Sequence, residues 1–254
     1  MIFNLFKPKS KLGIDIGTAS IKIVELSKKG GRFVLENYGF FELKGVSGDQ
    51  EGQSILKLPD EEIVWGIKEV IKKSGMRSRD AIASIPSFST FATVIELPYL
   101  SEDDLAKAIP FEARKYIPIP LNEVVLDWSI VGIIDQRQSP QAPAAGALPV
   151  QADKPAPTRG TTVEVFLAAV PKDETARYQR IFRDAGLNLA ALELENSGLI
   201  RGLLGNDLAP TAIVNIGGRS TSIVVIDKGY ERVSHNYEVG GFEITKSIAR
   251  ALNV

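Results

Sequence analysis

LGIDIGTASIKIVEL (residues 12–26) and TAIVNIGGRSTSIVVID (residues 211–227) share one plan. Each begins with an apolar strand that closes on a polar residue, an isoleucine and a glycine: Asp15-Ile16-Gly17 in the first, Asn215-Ile216-Gly217 in the second. A turn rich in hydroxyl groups follows, and an apolar strand returns. Repetition inside a chain is a fold-level signal. In the first copy Leu12, Ile14 and Ile16 alternate with Gly13 and Asp15, the period of a strand with one buried face. That parity sends Asp15 the other way, into whatever cleft the turn borders. Glycine lets backbone approach a ligand closely, and successive amides of a tight turn form a concave nest for phosphate. Thr18 and Ser20 in one turn, and Ser220, Thr221 and Ser222 in the other, add hydroxyl donors. Two such turns facing each other hold one polyphosphate, and an aspartate beside it suits magnesium, directly or through water.

The rest of the chain extends this plan. Strand patterns at 33–43 and 229–239 complete a three-strand meander around each copy. Residues 60–74 read as a helix with Ile63, Ile67, Val70 and Ile71 on one face, acids at its start, lysines at its end and Gly75 to stop it. Strands are expected at 81–85, 93–97, 124–134, 163–170 and 187–194, and helices at 172–185 and 195–204. Ser101 and Asp104 form a capping pattern for a helix that Pro110 should kink or break. YIPIP, residues 116–120, should be extended, because proline disfavours helix at the residue before it. Residues 135–161, rich in proline and alanine, read as a flexible loop. Gly240-Gly241 precedes a helix at 242–252, whose start is expected to offer amides and a favourable dipole to a nucleotide.

The 254 residues are 44% hydrophobic, enough for a sizeable core. Thirty basic residues against 31 acidic ones give a formal charge of −1, which does not call for nucleic acid. There is no cysteine and the single histidine is His235, which excludes cysteine-built or multi-histidine metal sites. No apolar run approaches the ~20 residues that span a bilayer. The start, MIFNLFKPKSKL, pairs Ile2, Phe3, Leu5 and Phe6 with Lys7, Lys9 and Lys11; it is a poor signal peptide and a candidate contact for an anionic membrane surface.

GIDIGTASIK resembles the first phosphate motif of the actin, heat-shock ATPase and sugar-kinase superfamily, IVNIGGRSTSIVVI the second, and VGGFEITKSIA the glycine pair and helix that follow, close to their form in the cell-division protein FtsA. Within it, LFKPKSKLGIDIGTASIKIVEL and IPSFSTFATVIELPYLSEDDLAKAIPFEARKYIPIPLNEVVLDWSIV resemble the PilM family of type IV pilus assembly proteins. The resemblance spans nearly everything outside residues 135–161. It implies an α/β actin-like ATPase fold, the ribonuclease H-like βββαβα unit in duplicate, with an inserted subdomain of the FtsA/PilM type. Residues 11–85 and 171–205 would form the first-half core, 86–170 the insertion, and 206–254 the start of a second half that is expected to be incomplete. Sheet edge and apolar surface left uncovered there would invite self-association. It further implies ATP and Mg2+ as ligands and a cytoplasmic place peripheral to the inner membrane. The implied partner is the N-terminal peptide of a PilN-like membrane protein, held in a groove near residues 88–97 and 116–126.

Carried over residue by residue, Asp15, Gly17, Thr18, Ala19, Ser20 and Lys22 match the first phosphate turn, with Asp15 toward the metal. Asn215, Gly217, Gly218, Arg219, Ser220, Thr221 and Ser222 match the second motif. Gly240, Gly241, Glu243 and Lys246 match the segment that contacts the nucleoside, and Glu195 a polar position of the connecting helix near the cleft. An FtsA-like division protein is one alternative, although no membrane-binding amphipathic helix is read here. A sugar-kinase-type phosphotransferase is another, but it needs a general-base carboxylate in a sugar pocket, and no recognisable motif supplies one. Asn215 stands where the second motif usually has aspartate, so the position keeps an acceptor and loses the charge that could take a proton from water. The expectation is an ATP binder with weak or absent hydrolysis. Steady-state phosphate release, compared with the Asn215→Asp variant, checks it: the native chain should turn over little, and vigorous turnover would refute the reading.

Overall fold

In a computed structural model the described residues are 10–43, 58–135 and 160–253. The start of the N-terminal candidate membrane contact before Ser10, residues 44–57 and most of the Pro/Ala-rich stretch lie outside them. The chain divides into two compact units, one made of residues 1–90 and 170–254, the other of residues 91–169.

The first unit carries the duplicated pattern. Strands β1 (Lys11–Ile16), β2 (Ser20–Lys29) and β3 (Arg32–Glu42) form an antiparallel meander. Helix α1 (Asp60–Ser74) leads into β4 (Asp80–Ile85), and helix α3 (Lys172–Asp184), numbered after α2 of the second unit, leads into β8 (Asn188–Leu194). The sheet order is β3-β2-β1-β4-β8, with β4 parallel to β1 and β8 parallel to β4. Alternation along β1 puts Leu12, Ile14 and Ile16 into one core with Ile21 and Ile23 of β2, Ile63, Ile67 and Val70 of α1, and Ile181 and Phe182 of α3. Each such side chain contributes about 1.5–3 kcal/mol by leaving water. The opposite parity leaves Asp15 on the other face of the sheet.

Helix α1 runs over the span its periodicity predicts. Gly75 closes it at φ 67, a left-handed conformation that glycine adopts without a Cβ penalty. Helix α4 (Glu195–Leu203) then joins this sheet to a second one of order β11-β10-β9, built from β9 (Thr211–Ile216), β10 (Thr221–Asp227) and β11 (Tyr230–Tyr237). Ile200 of α4 packs on Val224 and Ile226 of β10. Helix α5 (Gly241–Leu252) follows. Its Ile244, Ile248 and Leu252, and Val214 and Ile216 of β9, are exposed.

The second unit holds β5 (Phe91–Pro98), β6 (Val124–Asp135) and β7 (Thr161–Pro171) in the order β5-β7-β6, with helix α2 (Glu102–Ala113) packed through Leu105 and Ile109 on Ile95, Leu97 and Val165. Of the kink or break expected at Pro110, the break does not occur: α2 continues through it to Ala113. The carbonyl that its missing N–H would have bonded belongs to Ala106, which is exposed and open to water. Tyr116 is not extended either; its amide closes a turn onto the Ala113 carbonyl at 3.0 Å.

One buried carboxylate fastens the lower edge of the first sheet. Glu25 of β2 is 3% exposed and accepts from Ser10 Oγ (2.7 Å), Asn37 Nδ2 (3.1 Å), Arg77 N (3.3 Å) and Ser78 N (2.9 Å). Burial pushes its pKa up, but the donors together outweigh burial and hold the group below its ordinary value. A depressed carboxylate pKa stabilises the fold above the unfolded pKa and loses that contribution as pH falls through the folded one. Glu25→Ala, which orphans buried amides, should cost about 2–4 kcal/mol at pH 7. Denaturant unfolding should show the gap between the native chain and Glu25→Gln narrowing as pH drops below 4.5.

Candidate phosphate cleft

The two matched turns have the same hydrogen bond. Gly17 N donates to Ser20 O at 3.0 Å, and Gly217 N donates to Ser220 O at 2.8 Å. Neither glycine has positive φ, so space rather than torsion accounts for them. A Cβ on Gly17 would meet the Ser20 carbonyl at 3.1 Å, and one on Gly217 the Ser220 carbonyl at 2.9 Å. The turns also touch each other. Arg219 N donates to Thr18 Oγ1 at 3.2 Å, and a Cβ on Gly218 would fall 2.5 Å from the Ala19 Cβ.

Between them opens a cavity of about 470 Å³, within the usual range for a small-molecule pocket. Asp15, Gly17, Thr18, Ala19, Ser20 and Lys22 line one side, Asn215, Gly217, Gly218, Ser220 and Ser222 the other, and Glu195 the floor. Asp15 accepts from Lys22 Nζ at 2.9 Å and from Ser84 Oγ at 3.0 Å. Glu195 is half-buried at the start of α4. It accepts from Asn215 Nδ2 at 3.0 Å and from Ser87 N at 3.3 Å. Burial, then the charge of Asp15, raise its pKa against the opposing pull of those donors and of Lys22. Ser222 Oγ, buried on the wall, has no hydrogen-bond partner. A buried hydroxyl left open is costly unless something fills it.

Other expected residues lie elsewhere. The Arg219 guanidinium sits over the Phe242 ring, 5.1 Å from its centroid, away from the cavity wall. Thr221 Oγ1 donates to Val239 O at 2.7 Å. Glu243 and Lys246 pair with each other at 3.3 Å on an exposed face of α5. The α5 start offers no free amides: Gly241 N and Phe242 N donate to the Gly217 and Gly218 carbonyls at 2.9 Å, and Glu243 N and Ile244 N to Gly240 O. Gly240 therefore serves packing, since a Cβ on it would lie 2.6 Å from the Gly217 carbonyl oxygen, whereas one on Gly241 would stand at an ordinary 3.7 Å from the same atom.

Three participants escaped sequence reading. Ser84 lies on β4 next to Asp15, because Ile14 pairs with Ala83 in the parallel register; its signal was a lone hydroxyl in an otherwise apolar run. Ser87, in the one-turn helix Ser87–Ser89, also donates Oγ to Asn236 Oδ1 of β11 at 2.7 Å. Such a link across 149 residues leaves no local trace in a sequence.

The donor set fits a polyphosphate: hydroxyls of Thr18, Ser20, Ser220 and Ser222, the ammonium of Lys22, and backbone that only glycine brings this close. Among the described residues no cluster of three or more acids and histidines exists to hold a metal by itself. Magnesium would reach this site through Asp15, water and the ligand's own phosphates, which is its usual habit.

This duplicated fold with its two matched turns defines an α/β protein of the actin-like ATPase fold. A family profile described as "Type IV pilus assembly protein PilM" matches residues 13–143, just over half the chain, and the chain belongs to that family. Solved structures agree on the fold. A PilM–PilN type IV pilus biogenesis complex aligns with TM-score 0.70 and 23% identity over 96% of this chain and 66% of that one. The ethanolamine utilization protein EutJ of Carboxydothermus hydrogenoformans gives 0.51 and 16% over 98% and 59%. The cytoplasmic domain of EpsL, an inner-membrane component of the type II secretion system of Vibrio cholerae, gives 0.51 and 10% over 91% and 71%. The chain thus spans somewhat less than two thirds of the chain it matches in that complex.

Proposed function

We propose that this chain is a nucleotide-binding scaffold of type IV pilus assembly, which binds ATP with Mg2+ in the cleft and recruits the N-terminal peptide of a PilN-like inner-membrane protein. The carrying observation is the convergence of the two turns, with Arg219 N on Thr18 Oγ1, around an open cavity of the right chemistry. Family membership supports the pilus role, and the likeness to a PilM bound to PilN supports the partner. Among the described residues no helix is long and apolar enough to cross a membrane. In this reading the scaffold meets the membrane through its partner.

In this reading Thr18, Ser20, Ser220 and the turn amides hold the phosphates, and Lys22 leaves Asp15 to meet a phosphate oxygen while Asp15 turns to the metal. Asn215 spends its amide on Glu195 and offers no base for water. The cleft is built to bind and hydrolyses slowly. Gly240, Gly241, Glu243 and Lys246 would reach the nucleoside only after a rearrangement, whereas Arg219 acts by clamping the second turn onto α5.

Isothermal titration calorimetry with ATP and magnesium tests the ligand, and the same instrument with a PilN-type N-terminal peptide tests the partner. Both should give saturable heat. Lys22→Ala should weaken ATP by about tenfold or more, the value of a charge-assisted hydrogen bond, and leave the peptide untouched. Silence with ATP at high concentration overturns the cleft assignment, and silence with peptide the partner.

The raised Glu195 pKa adds a pH dependence. Ionisation of Glu195 puts negative charge beside bound phosphates, so bound ATP favours the protonated form and affinity should fall as pH rises above the ordinary 4.5 toward neutrality. The drop should be on the order of tenfold. Glu195→Gln should flatten this profile and tighten binding at pH 7; an unchanged slope in the variant would assign the dependence to another group.

A further inference from the structure

The sheet of the first unit has two ends of opposite character. Strands β1, β4 and β8 all run toward the phosphate turns, and β2 runs back. The far end therefore gathers the start of β1, the β2–β3 hairpin, the α1–β4 loop and the end of α3. Lys11, Lys28, Arg32, Lys72, Arg77 and Arg79 all stand there and are exposed. Acids at this end are engaged. Glu25 is buried under its donors, Glu36 pairs with Lys29, Asp184 with Arg183, and Asp80 accepts from Asn188. A chain of formal charge −1 thus carries a local cationic pole.

Apolar side chains project from the same end. The β2–β3 turn at Gly30 and Gly31 (φ 55 and 82) presents Phe33 at 75% exposure and Leu35 at 54%, both on the edge strand of the sheet. Lys28 Nζ lies 6.0 Å from the centre of the Phe33 ring. An aromatic near a hairpin tip, with Lys28 beside it and further exposed cations along the same end of the sheet, matches the boundary between anionic headgroups and acyl chains, where the ring is buried and the ammonium groups stay wet. Phosphate-backbone binding would use the cations and gain nothing from Phe33 and Leu35 in water.

We propose that this pole docks the first unit directly on an anionic membrane surface, with the cations on the headgroups and Phe33 and Leu35 at the acyl boundary. The surface lies at the opposite end of the sheet from the cleft, so it stands independently of nucleotide binding.

Vesicle co-sedimentation of the full chain tests it, with phosphatidylcholine alone and with phosphatidylcholine carrying phosphatidylglycerol. The chain should pellet with the anionic vesicles only, and 0.5 M salt should release it, since the Debye length shrinks to a few ångströms. Each of Lys28→Gln, Arg32→Gln and Lys72→Gln should weaken binding about fivefold, the usual effect of one cation near such a surface. Phe33→Ser should weaken it without changing the salt dependence. All four positions are exposed, and unchanged thermal melts confirm intact folds. Equal pelleting with neutral vesicles, or no pelleting with either, overturns the proposal. Retention on a heparin column with no vesicle binding also overturns it and points to an acidic macromolecule instead.

Discussion

Two hairpin tips, 201 residues apart in the chain, share a volume too small for a side chain. Gly218 cannot carry a Cβ without striking that of Ala19, and Gly240 cannot carry one without striking the backbone of Gly217 and Gly218. Close packing is unforgiving on this scale, because a fraction of an ångström of overlap forces backbone to move. The first turn, the second turn and the start of α5 therefore lock as one body, and the cleft is what remains between them. Its hydrogen bonds follow from that closeness: once the turns touch, Arg219 N finds Thr18 Oγ1, and the first amides of α5 find the carbonyls of the second turn.

That arrangement reassigns the last helix. A helix N-terminus with free amides is a ready anion site, but each of the first four amides of α5 is already bonded. The first amides of α5 instead hold the second matched turn, and Arg219 on Phe242 holds the same joint from the side. In the proposed reading, stiffness thus replaces direct contact: the cavity is lined by Thr18, Ser20, Lys22, Ser220 and Ser222, each on a strand end or turn whose position the sheet fixes. Groups held in place before a ligand arrives bind it with less ordering to undo.

What the residues alone could show divides along a physical line. Period-2 alternation in Leu12, Ile14 and Ile16 was enough to place β1 and to aim Asp15, because side-chain direction in a strand is a local property. The duplicated motif was legible for the same reason. Ser84 was half-legible: its parity is local, but its partner Asp15 depends on the β1–β4 register. The Ser87–Asn236 and Asn215–Glu195 bonds were not legible at all, since they depend on how two sheets meet. Pro110 failed in the other direction. A strong local rule predicted a kink or a break, and the break does not occur; Ala106, whose carbonyl loses its partner, is exposed, which lowers the cost.

Charge shows the same limit on a larger scale. A formal charge of −1 suggests an electrically bland chain, because a sum over the sequence has no direction. Strand polarity supplies the direction. Strands β1, β4 and β8 start at the end of their sheet far from the cavity, so cations that begin strands and end helices collect there: Lys11 at the start of β1, Lys72 at the end of α1 where it also meets the negative end of the helix dipole, and Arg77 and Arg79 before β4. The acids that balance them in the sum are spent in buried or paired positions, Glu25 most completely. A carboxylate enclosed by its donors projects little field, whereas an exposed unpaired lysine projects all of its own within a Debye length. The outer surface at this end is therefore more basic than the net charge of the chain implies, and the topology that brings the two matched turns around their cavity also gathers these cations at the opposite end of the sheet.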